Sequence, residues 1–257
     1  MEKNYNALLQ SKMSKESFEK LSALKNKKVN EFVGFFIDHC EPKSVYVCTD
    51  SESDIQHVRE MALSKSEEQN LANSKQTIHW DNYEDQARDK KNTRYIVYKE
   101  NLENMKTLNS LEYEQGYNEI LEISKGIMKG KDAVVMFLSE GPTQSVFSIP
   151  CVQFTDSWYV AHSEFILYRS AYSHFLNMKE EEKDDFFRFI HSAGKLNEKG
   201  NTVNLDKRRI YMDTQNNIVY SMNNQYAGNS VGMKKHSMRL AINKSRFEGW
   251  LCEHMFV

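Results

Sequence analysis

Three short stretches of this chain of 257 residues carry side chains suited to binding a small anion or a metal ion. The first is Asp85–Thr93 (DQARDKKNT), which contains Arg88. A guanidinium offers a planar fork of donors that matches a carboxylate, and it stays charged at any ordinary pH. The second is Tyr226-Ala227-Gly228-Asn229-Ser230, where a glycine lets backbone N–H groups approach an anion without an intervening side chain. The third holds Lys234, Lys235 and, further on, His254; a neutral imidazole is an ordinary transition-metal ligand. On residue type alone each has a plainer reading. Arg88 sits among Asp85, Asp89, Lys90 and Lys91, as a solvated loop arginine would. A-G-N-S is an ordinary turn, a Lys-Lys pair is usually surface charge, and a histidine near a chain end is usually inert. The sequence contains no G-x-x-x-x-G-K-[ST] phosphate loop and no C-x-x-C pair.

The elements that must position these residues are partly legible. Val29, Phe32, Val33, Phe36, Ile37 and Cys40 fall on one helical stripe, which predicts a helix over Lys27–Cys40 stopped by Pro42. Val45–Cys48 reads as a strand, and Thr49-Asp50-Ser51 caps a helix starting near Asp54, so the chain opens α-β-α. Strands are predicted at Arg94–Tyr98 and Asp132–Leu138, with a helix over Glu112–Met128 between them that Gly130 ends. Phe147–Thr155 and Tyr159–Tyr168 read as a hairpin turning at Asp156-Ser157, with a helical second arm as the alternative. Glu180–His191 reads as a helix with a charged start, and Asn216-Asn217 as the turn of a hairpin between Arg209–Tyr211 and Ile218–Tyr220. Lys234–Met255 is predicted to be mostly helix, and the polar stretch Ser64–Lys75 is the candidate mobile loop. Mixed elements in this order predict an α/β or α+β fold.

Composition narrows the class. Charged residues make up 27%, hydrophobic residues 40% and aromatic residues 12%, as in a globular chain able to bury a core. A formal charge of −2 with both signs interspersed gives no electrostatic case for nucleic acid. Cys40, Cys48, Cys151 and Cys252 are scattered, the start is polar, and no apolar run is long enough to span a bilayer. A cytoplasmic protein with reduced thiols is expected.

Four separated segments resemble the GTP-dependent phosphoenolpyruvate carboxykinases, in that family's order: Val45–Glu52 (VYVCTDSE), Asp85–Thr93, Gly141–Tyr159 (with GPTQS and QFTDSWY) and Tyr226–Met255 (YAGNSVGMKKHSMRLAINKSRFEGWLCEHM). FIHSAG at Phe189–Gly194 adds a weaker likeness, so the resemblance covers nearly the whole chain. It implies a single substrate-binding domain over residues 1–257, of the α/β mixed-sheet type of that family's N-terminal domain, with the nucleotide-binding domain absent from these residues. It implies a carboxy-lyase activity of gluconeogenesis, in which oxaloacetate and GTP give phosphoenolpyruvate, GDP and CO2, and which this chain by itself is expected to lack.

The resemblance also assigns residues. Arg88, Tyr226, Gly228 and Asn229 match the contacts to oxaloacetate or phosphoenolpyruvate, and Lys235 and His254 match the ligands of the active-site Mn2+; Arg88 and Lys235 match catalytic positions. Mg2+ and GTP or GDP belong with the missing half. A lysine ligand must first lose its proton, so its pKa must fall from about 10.4, and Lys234 beside it is a candidate perturber. Two departures stand out: Ala227 replaces the first of two family glycines, and the Lys235–His254 interval is one residue shorter than the family's. A rival reading is therefore a non-catalytic domain that binds a small dicarboxylate or a protein partner. Expected partners are the substrate and a separate or missing C-terminal domain, with neither nucleic acid nor membrane.

Overall fold

A computed structural model of the chain describes residues 4–73, 75–80, 89–105, 107–145 and 148–225. Two short helices come first, α1 (Asn6–Lys12) and α2 (Lys15–Ala23), so the chain opens with two more elements than its apolar spacing announces. Only Leu9 of α1 and Ser17 and Leu21 of α2 are buried, too few anchors for a visible period. The one local signal is Ser14, whose hydroxyl accepts from Ser17 N–H as an N-cap. Helix α3 spans Lys27–Cys40 as predicted, and all six stripe residues are buried. Asn26 caps it, accepting from Lys28 and Val29 N–H.

Strand β1 (Ser44–Val47) leads to α4 (Glu52–Ser64), capped by Ser51. A small hairpin, β2 (Gln69–Asn70) and β3 (Thr77–Ile78), follows. Then come β4 (Thr93–Val97), β5 (Ser110–Glu112), α5 (Tyr113–Ser124) and β6 (Asp132–Glu140). Helix α5 thus stops short of Gly130, at a turn through Gly126, whose φ is +63°. Next are β7 (Ile149–Thr155), α6 (Trp158–Leu167), β8 (Arg169–Ser170), α7 (Tyr172–Leu176), β9 (Phe187–Ser192), β10 (Arg209–Asp213) and β11 (Ile218–Met222).

Two expectations are corrected here. The segment after Asp156-Ser157 takes the helical alternative, because Ser157 caps it by accepting from Val160 N–H. The predicted helix over Glu180–His191 is instead a 3-10 turn at Glu180–Glu182 followed by strand β9. The acidic run looks like a helix start, but the aromatic run behind it is buried on both faces between two parallel neighbours, β7 and β11.

Nine strands form one mixed sheet in the order β1-β6-β7-β9-β11-β10-β4-β5, with β8 pairing on β6. The fold class is the expected mixed α/β one. Alternate residues of β6 serve two cores. Ala133, Val135 and Phe137 join the layer with α1, α2, α3 and α5, while Val134, Met136 and Leu138 join Val58 and Ala62 of α4 and Trp158 and Ala161 of α6. Cys40, Cys48 and Cys151 are buried free thiols; Cys252 lies outside the described residues. Among the described residues no helix is long and apolar enough to cross a membrane.

Candidate functional site

Strand direction gathers the interesting segments at one rim. Strands β7, β9 and β11 run parallel, so Thr155-Asp156-Ser157, His191–Gly194 and Asn223–Gln225 all leave the sheet at the same end. Strands β6 and β10 run antiparallel to their neighbours, so Lys131 before β6 and Arg208 before β10 enter there too. Strand β4 is parallel to β10, which brings Asp89 and Asn92 to the same end. In open α/β sheets this carboxyl end of the parallel strands is where ligands are bound.

Asp156 is the hub of the rim. Its side chain is fully buried; Oδ1 accepts from Ala193 N–H at 2.9 Å, and Oδ2 accepts from Ser192 Oγ at 2.6 Å and from Lys131 Nζ at 2.7 Å. Every lone-pair direction of the carboxylate is thereby matched by a donor, which is what makes a buried charge tolerable. Gly194 follows at a φ of +67°, and a Cβ there would lie 2.1 Å from Asn223 Oδ1. The close approach of the two turns therefore requires glycine. His191, fully buried, bridges Thr155 Oγ1 at 2.6 Å and the Asn224 carbonyl oxygen at 2.5 Å. Burial pushes its imidazole down to about 4, so it is neutral at ordinary pH.

Arg88, Tyr226, Gly228, Asn229, Lys235 and His254 lie outside the described residues. Their immediate neighbours do not. Asp89, next to Arg88, accepts from the Asn92 backbone N–H and side-chain amide, and its Oδ2 is 3.9 Å from Arg208 Nη1. Asn223, at the foot of the Tyr226 loop, offers its carbonyl to Arg208 Nε at 3.5 Å and donates from Nδ2 to the Lys207 carbonyl at 3.1 Å. One buried guanidinium thus reaches toward both segments. Only β10 separates β4 from β11, and Thr93 and Ser221 both pair with Ile210, so the two chain ends are two strand spacings, about 10 Å, apart.

The matching family and its members agree with this reading of the motifs. Residues 31–246 match the family described as phosphoenolpyruvate carboxykinase N-terminal domain. The chain belongs to that family. It is 49% identical to the phosphoenolpyruvate carboxykinase [GTP] of Pyrococcus horikoshii and 48% identical to that of Thermococcus kodakarensis, over 95% and 97% of its own length. A more distant relative of the same description, from Saccharolobus solfataricus, is 41% identical over 95% of the chain. The chain spans 39% of the length of the first two relatives and 38% of the third.

In this phosphoenolpyruvate carboxykinase N-terminal domain, a strap also leads into the Arg88 segment. The polar stretch expected to be a mobile loop is pinned: Glu67 accepts from Ser157 Oγ at 2.7 Å and Tyr159 N–H at 2.9 Å, at the N-terminus of α6. Burial pushes the Glu67 carboxyl up, against those donors. Glu68 pairs with His162 Nδ1 at 2.8 Å, and the His79 ring stacks on Tyr159 with centroids 3.5 Å apart. Sequence reasoning missed Lys131, Asp156, His191, Arg208 and Asn223. The TDS and HSAG words held the signal, since both close a parallel strand. A groove of about 460 Å³ lined by Lys28, Tyr113, Tyr117, Asp184, Arg188 and Asn216, among others, opens at the opposite end of β9 and β11. Among the described residues no group of three His, Cys, Asp or Glu side chains could hold a metal ion.

Proposed function

We propose that this chain is the substrate-binding part of a GTP-dependent phosphoenolpyruvate carboxykinase, and that it holds oxaloacetate or phosphoenolpyruvate at the carboxyl-end rim. Arg88 forms a two-point ion pair with the substrate carboxylate, Gly228 presents backbone N–H groups to it, and Tyr226 and Asn229 flank it. In the reaction class the relatives' names describe, loss of CO2 from oxaloacetate leaves an enolate, and a phosphoryl group from GTP traps it. The work of these residues is to hold the four-carbon acid in one orientation while that happens. Lys235 and His254 are nitrogen donors of the kind Mn2+ accepts, and they would hold that ion together with a ligand from the missing part; Lys235 must be neutral to do so. The ion would act as a Lewis acid toward the enolate oxygen. Mg2+ and the guanine nucleotide belong with a C-terminal domain not contained in these residues.

The observation that carries this reading is Arg208, which reaches both Asp89 beside Arg88 and Asn223 below the Tyr226 loop. Calorimetric titration of the chain with phosphoenolpyruvate tests it. Arg88→Ala should weaken binding at least about tenfold, the loss of a charge-assisted hydrogen-bonded pair. Binding unchanged in Arg88→Ala would sink the assignment. Under the rival reading, a domain adapted to a protein partner, the unaltered chain would ignore phosphoenolpyruvate altogether.

A further inference from the structure

The loop expected to meet substrate hangs from three residues that have left the sheet. Pairing between β11 and β9 ends at Met222 and Ser192, yet Asn223, Asn224 and Gln225 stay buried beyond it. Asn223 adopts the left-handed region with a φ of +54°. Each of the three is held from the side. Arg208 and Lys207 hold Asn223. Gln225 donates to the Gly200 carbonyl and accepts from Thr202 N–H at 3.4 Å. Asn224 donates its N–H to the Ser192 carbonyl at 3.3 Å, and its own carbonyl faces His191.

The chemistry of His191 is fixed by its partners. A carbonyl oxygen only accepts, so Nε2 must carry the proton and donate to Asn224. Nδ1 is then the acceptor, and it receives the Thr155 hydroxyl proton. Thr155 Oγ1 in turn accepts from Ser157 N–H at 3.1 Å. One continuous relay thus runs from the turn after β7, through the central strand β9, to the third-last residue before Gly228 that is described. Asp156 and Lys131 are the charged groups nearest the ring.

We propose that His191 is a positioning residue for the carboxylate-binding loop: by holding the Asn224 carbonyl it sets where the chain leaves β11, and so where the Tyr226–Asn229 segment is aimed. This rests on the substrate reading given above. His191 touches no substrate; it acts through the backbone of Asn224. The Nε2 donor is the working part of the side chain, since the ring has no exposed surface with which to do anything else.

Two substitutions in the same 257-residue chain separate the donor from the ring. His191→Phe keeps a planar ring and loses both nitrogens, whereas His191→Gln keeps an N–H donor near the Nε2 position. Amide exchange at Asn224 relative to mid-strand Tyr220 reads the clamp, and titration with phosphoenolpyruvate reads its consequence. His191→Phe should exchange at Asn224 and release phosphoenolpyruvate about tenfold more readily, and His191→Gln should restore both to within about threefold. Exchange and affinity within about twofold of the unaltered chain in both variants would overturn the proposal. Binding lost in Arg88→Ala but intact in His191→Phe overturns this inference and leaves the substrate reading standing. An unaltered chain that takes up no phosphoenolpyruvate overturns the substrate reading, and with it the aim assigned to the loop.

Discussion

The two ends of strands β9 and β11 are built on opposite plans. At the amino end the polar contacts are local: Asp184 pairs with Arg188 four residues on, and Asp213 accepts from Gln215 N–H and from the backbone and side chain of Asn216. At the carboxyl end almost every polar contact joins residues distant in sequence. Lys131 meets Asp156, Asp156 meets Ser192 and Ala193, His191 meets Asn224, and Thr202 meets Gln225. Local turns close a chain and can fold by themselves. Long-range cross-links instead fix the relative position of separate elements, at a larger entropy cost that a mere turn does not require. The end that is cross-linked is the end where the family's substrate residues attach.

The largest expected contrast comes from removing one carboxylate at each end. Asp156→Ala strands the Lys131 charge and the Ser192 and Ala193 donors, and should cost about 3–5 kcal/mol in equilibrium denaturation. Asp184→Ala breaks a pair whose carboxylate is 64% exposed and should cost under about 1 kcal/mol. Equal losses would erase the distinction.

Acid should act through the rim as well. Unfolded, His191 takes a proton near 6.5, and folded only near 4. Between those values the unfolded chain binds more protons, so this group's contribution makes stability rise with pH. As pH falls through that window, about 3 kcal/mol should be lost. Thermal melts of the chain between pH 7 and pH 4 should show a steeper fall than those of His191→Gln. Parallel curves would mean that His191 does not titrate as its burial requires.

A smaller effect separates two glycines of similar backbone. Gly194 and Gly200 both have positive φ, +67° and +77°, but only Gly194 has a neighbour where a Cβ would go. Gly200→Ala should cost about 1 kcal/mol from backbone strain alone. Gly194→Ala adds the collision with Asn223 and should cost about 2–3 kcal/mol, with a matching loss of phosphoenolpyruvate affinity. Chemical denaturation of the pair checks this, and equal costs would deny the close approach of the two turns.

What the sequence made legible follows a physical pattern. Helix α3 was readable because a single apolar stripe and a capping asparagine both act locally. The β10–β11 hairpin was readable because Asn217 takes the positive φ, +55°, that its turn needs. Strand β9 was misread because its conformation is decided by β7 and β11, which lie far away along the chain. The same holds for the site. Arg88 and Gly228 could be named by resemblance, but Asp156 and His191 could not be ranked above other polar residues until strand direction placed them on one rim. The glutamates of the 65–80 strap looked like solvated charge, and only their partners on α6 say otherwise.

The central claim is that Arg88 and Gly228 face one anion site at the carboxyl-end rim. A crystal structure of the chain with bound oxalate, a small stand-in for the substrate's carboxylate, tests it most directly. Oxalate should lie beside the rim formed by Asp156, Gly194 and Asn223, held by the Arg88 guanidinium, with the Arg88 and Gly228 Cα atoms within roughly 20 Å of each other, the most that an extended arginine and a small ligand can bridge. A larger separation, or oxalate seated instead between Lys28, Arg188 and Tyr117 at the amino end, would contradict it.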